Sequence, residues 1–171
     1  IAASELLATF RGTAMVAEGD DANVPQNLTE LLAVKRDLDI ANPPDLNVLM
    51  SDLQTELESD YGQLPFKWRI VLVGADLEKE GITKNQRPRA MVIQQQSLAE
   101  ILTSIVVSAN PDKDISGASD PNCKMVWVLA TDPDQPDDPD QPRRQAILIT
   151  TRLAAEAKGY TLPAAFAIGD R

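Results

Sequence analysis

The spacing of apolar residues switches repeatedly between the two-residue period of a strand and the roughly 3.6-residue period of a helix. A chain patterned this way has to build helices and sheet into one core. In "DLNVLMSDLQTELESDYG", Leu46, Leu49, Met50, Leu53, Leu57 and Tyr61 fall on one side of a helix, and Gly62 suits its end. In "SLAEILTSIVVSANP", Ser97 and Glu100 have capping-box spacing, and Leu98, Ile101, Leu102, Ile105 and Val106 form the stripe. Asn110 is expected to take a left-handed conformation there, and Pro111 to stop the helix.

Strand patterns separate these helices. Val34, Leu38 and Ile40 share one face of "VKRDLDI", with Arg36 breaking the stripe. "FKWRIVLVG" is apolar on both parities, which predicts a central strand with Trp68 in the core. "ADLEKEGI" reads as a helical turn ended by Gly81, and "RAMVIQQQ" as a strand with Gln94 to Gln96 at its solvated end. "KMVWVLAT" and "QAILITT" are expected to pair as a hairpin, with Trp127 in the core, and "RLAAEAKG" closes as a helix. The order β-α-β-β-α-β-β predicts an α+β domain over residues 34–158: a small mixed sheet with two amphipathic helices packed on one face. Residues 1–33 read as a helical lead-in, with Leu6, Leu7 and Phe10 at helical spacing and Asn27 with Glu30 opening a second helix; residues 159–171 read as a tail.

The composition restricts the chemistry. A net charge of −10 repels phosphate, so nucleic acid and anionic membrane surfaces are poor partners. No apolar run is long enough to predict insertion into a membrane. The chain has no histidine, which removes Ser-His-Asp and Cys-His catalysis and imidazole metal sites. Cys123 is alone, so no internal disulfide is possible. No phosphate-binding or nucleophile-elbow motif occurs, and no cofactor or enzymatic reaction is implied. Carboxylate pairs such as Asp76 with Glu80 and Glu56 with Asp60 are expected on solvated helix faces.

Two charged groupings remain. The hairpin tip "TDPDQPDDPDQPRR" says DPDQP twice, and its Asp132, Asp134, Asp137, Asp138 and Asp140 offer oxygens of the kind calcium takes. It lacks the glycine and glutamate of an EF-hand loop, and its prolines favour an extended backbone. The predicted state is an exposed, solvated insertion. Replacing residues 132–142 by Asn-Gly is then expected to leave stability within about 1 kcal/mol. A calcium-tuned adhesion or scaffold domain is the alternative. The second grouping is basic: Lys67, Arg69, Lys79, Lys84, Arg87 and Arg89, with Arg36 on its strand. These residues would either receive an acidic protein partner or balance the chain's own acidic loop.

The succession "LDIANPPDLNVLMSDLQTEL", "RIVLVGADLEKEGI", "RAMVIQQQSLAEILTSIV", "KMVWVLA" and "QAILITT" resembles the secretin and TonB short N-terminal domain, most closely a form seen in planctomycete-like envelope proteins. The resemblance covers about residues 34 to 157 and lies in hydrophobic positions; the long acidic hairpin loop departs from it. It implies an exported, periplasmic or cell-envelope domain that binds other proteins and has no catalytic residues. The docking edge expected from the sequence is "VKRDLDI" or the hairpin.

Overall fold

The computed structural model describes the backbone of residues 8–12 and all of residues 24–136, 138–141 and 143–168. Their elements run β1 (Ala8–Gly12), α1 (Leu28–Ala33), β2 (Lys35–Ile40), α2 (Leu46–Asp60), β3 (Trp68–Leu72), α3 (Gly74–Lys79), β4 (Met91–Ser97), α4 (Leu98–Ala109), β5 (Met125–Thr131), β6 (Gln145–Thr151) and α5 (Arg152–Ala157). The fold is α+β. The amphipathic stripes become helices where local chemistry starts them. Asp45 accepts the Val48 N–H at 3.0 Å to open α2. Ser97 and Glu100 form the full capping box of α4. Leu46, Leu49, Met50, Leu53 and Leu57 of α2 are buried, as are Leu98, Ile101, Leu102, Ile105, Val106 and Ala109 of α4.

The sheet is divided, where one sheet was expected. β1, β2 and β4 form one three-stranded sheet in that order, with antiparallel pairing. β3, β6 and β5 form the other, with β6 central, parallel to β3 and antiparallel to β5. From β2 to β5, each connection through a helix changes sheets: β2–α2–β3, β3–α3–β4 and β4–α4–β5. The two long helices therefore bridge the sheets. α4 contacts β2 and β4 of the first sheet and β5 of the second, and α2 contacts β1 and β3. Apolar spacing specifies which face of a strand is covered but leaves open which strand lies beside it.

Two further expectations are corrected. β3 is an edge strand, although both its parities are apolar; one side of that edge is supplied with cover by α2. Residues 8–12 form a strand where a helix was expected. A helix of that length is marginal alone, whereas pairing with β2 from Ala8↔Ile40 to Gly12↔Arg36 satisfies the backbone. Residues 1–7 and 13–23 lie outside the described residues. The 28–33 helix forms as expected, with Asn27 accepting the Glu30 N–H at 2.9 Å. The β5–β6 hairpin is present in register Met125↔Thr151 to Thr131↔Gln145. One buried apolar cluster runs from Leu28 to Phe166, so the expected lead-in and tail both contribute to the same core.

Buried polar side chains join the pieces. Asn110 does not take the left-handed conformation; its φ is −57° and ψ 137°. Its side chain instead accepts from Lys124 N at 2.8 Å and donates to the Asp112 and Asn122 carbonyls at 2.8 and 3.2 Å. It thereby fastens both ends of the loop between α4 and β5. Arg152 is 8% exposed and donates to four carbonyls: Cys123 (3.2 Å), Phe166 (2.6 Å), Ala118 (2.9 Å) and Asp120 (3.4 Å). One guanidinium thus ties that same loop to the C-terminal segment, whose Phe166 side chain is fully buried.

Removing the Arg152 fork would leave several buried carbonyls without donors. Arg152→Met is expected to cost about 2–4 kcal/mol in urea unfolding. Arg152→Lys should recover little of that loss, because a single ammonium does not span four carbonyls. Stability within about 0.5 kcal/mol of the parent for Arg152→Met would refute the role.

Candidate functional site

The structure disperses the basic residues singled out in the sequence. Arg36 is fully buried on the central strand β2 and pairs with Asp60 at the end of α2, so it is no partner-binding residue. The same topology rules out "VKRDLDI" as a docking edge, since β1 and β4 flank it on both sides. Arg69 reaches the acidic hairpin, 3.5 Å from Asp132 and 3.4 Å from Asp134. It thus serves the second of the two roles expected for the basic cluster. Lys84 lies over Gly74, where an added Cβ would come within 2.9 Å of the lysine Cε. Arg87 reaches the Pro43 carbonyl at 3.5 Å, and Lys67 and Lys79 are exposed. Asp76 and Asp60, expected on solvated faces, are structural partners instead. Asp76 is buried, accepting from Thr150 Oγ1 at 2.7 Å and Lys158 Nζ at 3.0 Å.

The acidic repeat also differs from expectation. The first four residues of each DPDQP copy fold the same way. The first Asp side chain accepts the N–H two residues on, Asp134 to Asp132 at 2.9 Å and Asp140 to Asp138 at 3.0 Å. The same Asp carbonyl accepts from the glutamine N–H, at 3.3 and 3.1 Å. The repeat in sequence is therefore a repeated turn in structure. Residues 138–141 of the second copy are exposed, but the first is built into the hairpin base. Asp132 is 2% exposed and accepts Arg144 Nε at 2.7 Å. Burial alone would raise its carboxyl pKa, but the Asp134 N–H and the Arg144 and Arg69 guanidiniums hold it below the usual carboxylate range. The calcium candidates are not brought together. Asp132 is committed to arginines, Asp134 leans to Arg69, Asp137 lies outside the described residues, and Asp138 and Asp140 sit at the far turn. Among the described residues no three carboxylates converge on a cation position. Replacing all of residues 132–142 is accordingly expected to destabilise the domain, whereas the exposed segment 138–141 is dispensable.

What the structure does assemble is a groove of about 410 Å³ between β4 and α4. Arg89, Ala90, Met91 and Ile93 line one side; Ser104, Val107 and Ser108, one face of α4 at i, i+3 and i+4 spacing, line the other. Lys113 and Ile115 close an end. β4 is an edge strand with no partner strand on its outer side among the described residues. Its register slips opposite Asp37, where Gln94 and Gln95 face one residue. Gln95 stands at φ +55° and both its backbone and side-chain nitrogens donate to Asp37 Oδ1, at 2.8 and 2.9 Å. This bulge ends the regular edge, leaving residues 90–93 as the open stretch. Met91 and Ile93 point into the groove, while Val92, 67% exposed, points away.

Two cations stand at the start of that stretch. Ser108 meets both residues: its hydroxyl accepts the Arg89 backbone N–H at 3.0 Å and its carbonyl accepts Lys113 Nζ at 2.6 Å. Burial, and then the neighbouring Arg89 charge, push the Lys113 ammonium below the usual lysine range. Of the seven sequence-named cations, only Arg89 lines this groove; Lys113 and the α4 hydroxyls carried no sequence signal. Cys123 is fully buried, with burial raising its thiol pKa, and contributes nothing to the groove.

No family model matches the chain, and no curated protein or solved structure shows significant similarity to it.

The Asp132 pair has a pH signature. Its folded pKa is lowered, so its contribution is complete well above the unfolded carboxyl value of about 3.9 and fades as pH falls through the folded value. Asp132→Asn is expected to cost about 1–3 kcal/mol at neutral pH, with the gap between variant and parent closing in acid. Urea unfolding of both proteins from pH 7 to pH 3 reads this directly; a gap independent of pH would assign the cost to shape rather than charge.

Proposed function

We propose that this chain is a non-catalytic protein-interaction module of an exported or cell-envelope protein, of the secretin and TonB short N-terminal type, which docks an extended segment of a partner on β4. The observation that carries this reading is an open, regular stretch of edge strand beside a groove walled by a helix face. Strand addition uses such a juxtaposition: backbone pairing along the edge gives affinity, and alternate side chains entering the groove give selectivity. Met91 and Ile93 offer an apolar floor at the correct two-residue spacing. Exposed edge strands are normally blunted, and here the bulge at Gln95 blunts only the far half. The element order supports the family assignment, and the lack of histidine and of a catalytic motif supports a binding role.

A photocrosslinking amino acid at Val92 tests the surface, with Leu153, 64% exposed on α5, as the matched control. In envelope extract, the Val92 position is expected to crosslink a discrete protein that the Leu153 position does not. Ser104→Tyr, which fills the groove from α4, should abolish that product while leaving the urea midpoint close to that of the parent. A product that forms equally from both positions, or survives Ser104→Tyr, would remove β4 as the docking edge.

A further inference from the structure

Resting on that reading of the groove, we infer that its occupant is the C-terminal end of a partner chain, seated antiparallel to β4 with its terminal carboxylate between Arg89 and Lys113. The groove reverses the polarity of the molecule around it. The chain carries 26 acidic and 16 basic residues, yet the groove lining contains two cations and no carboxylate. Asp112 and Asp114 neighbour Lys113 in the chain but do not line the groove, and Asp112 is occupied in accepting the Asp114 N–H at 2.9 Å. Among the described residues the Arg89 side chain meets no carboxylate, and Lys113 is held only by the Ser108 carbonyl.

The position of the cations selects a chain end. Backbone pairing along β4 stops at Arg89: its N–H is already taken by Ser108 Oγ, and Pro88 before it has none to offer. A strand added beyond this point has no ladder to continue. An antiparallel strand brings its C-terminus to this end of β4, as β2 already runs antiparallel on the other side. A parallel strand would bring its N-terminal ammonium against two cations, which charge repulsion disfavours. The partial desolvation that lowers the Lys113 pKa also strengthens any carboxylate contact made there. Ser104 adds a hydroxyl donor on the α4 side, and Met91, Ile93, Val107 and Ile115 receive an apolar terminal side chain and the one two positions before it.

Two matched random libraries of short peptides on beads test this, one ending in a free carboxylate and the other in a carboxamide. Enriched sequences are then labelled and titrated by fluorescence polarisation against the parent, Ser104→Tyr and the double variant Arg89→Ala/Lys113→Ala. Both replaced cations are exposed, so the double variant should retain the parent's fold. Binders are expected from the free-acid library, with apolar final residues. Amidation should weaken them about tenfold or more, the double variant by a similar factor, and Ser104→Tyr should abolish binding. Binders that Ser104→Tyr removes, but that tolerate amidation and the double variant, would overturn the terminal carboxylate and leave the β4 groove standing. Binders indifferent to Ser104→Tyr, or no binders from either library, would overturn the groove as well.

Discussion

Helix α4 is the constraint on which the rest of the fold depends. Its buried residues meet strands of both sheets, so each sheet needs this helix to cover its apolar face. Each of its fully buried aliphatic side chains contributes on the order of 1.5–3 kcal/mol. The capping box at Ser97 fixes where the helix begins, directly at the end of β4. That join leaves no slack, and it sets the helix face at Ser104, Val107 and Ser108 alongside the first half of the same strand. The groove is therefore a by-product of how α4 must lie to bridge the sheets.

Around this helix the joints are polar. Arg36 with Asp60, Asp76 with Thr150 and Lys158, Asn110 with the β5 entry and Arg152 with four carbonyls each connect segments far apart in sequence. Buried charges of this kind cost desolvation and repay it only when their hydrogen bonds are met. Arg152 meets that condition most fully, because irregular loops supply free carbonyls that no helix or ladder uses. The first DPDQP turn works the same way in miniature, with Asp132 receiving backbone and guanidinium donors at once.

The proposed docking surface lies where regular pairing stops. The Gln95 bulge interrupts the β4 ladder in one direction, and Pro88 with the Ser108-bound Arg89 ends it in the other. A short open edge between two stops limits how much strand can add, which restrains indiscriminate edge-to-edge association while leaving room for one segment. In the proposed complex the cations at one stop would supply direction. The net charge of −10 sets copies of the chain against one another, which weighs against self-association.

The amphipathic stripes of α2 and α4, the α4 capping box, the β5–β6 hairpin and the core positions of both tryptophans were legible in the sequence. Each depends on residues within one or two turns, and local periodicity and capping chemistry suffice for those. The division into two sheets, the edge position of β3, the strand at Ala8–Gly12 and the open side of β4 were not legible. Strand partnership is decided by long-range burial, and an apolar residue shows that it will be covered without showing by what. Charged residues were the least readable of all. Arg36, Arg152, Asp76 and Asp132 look like surface residues until a distant carbonyl, carboxylate or guanidinium is placed beside them. The groove belongs to the same class: Arg89 and Lys113 are 24 positions apart, and only the packing of α4 against β4 brings them to one serine.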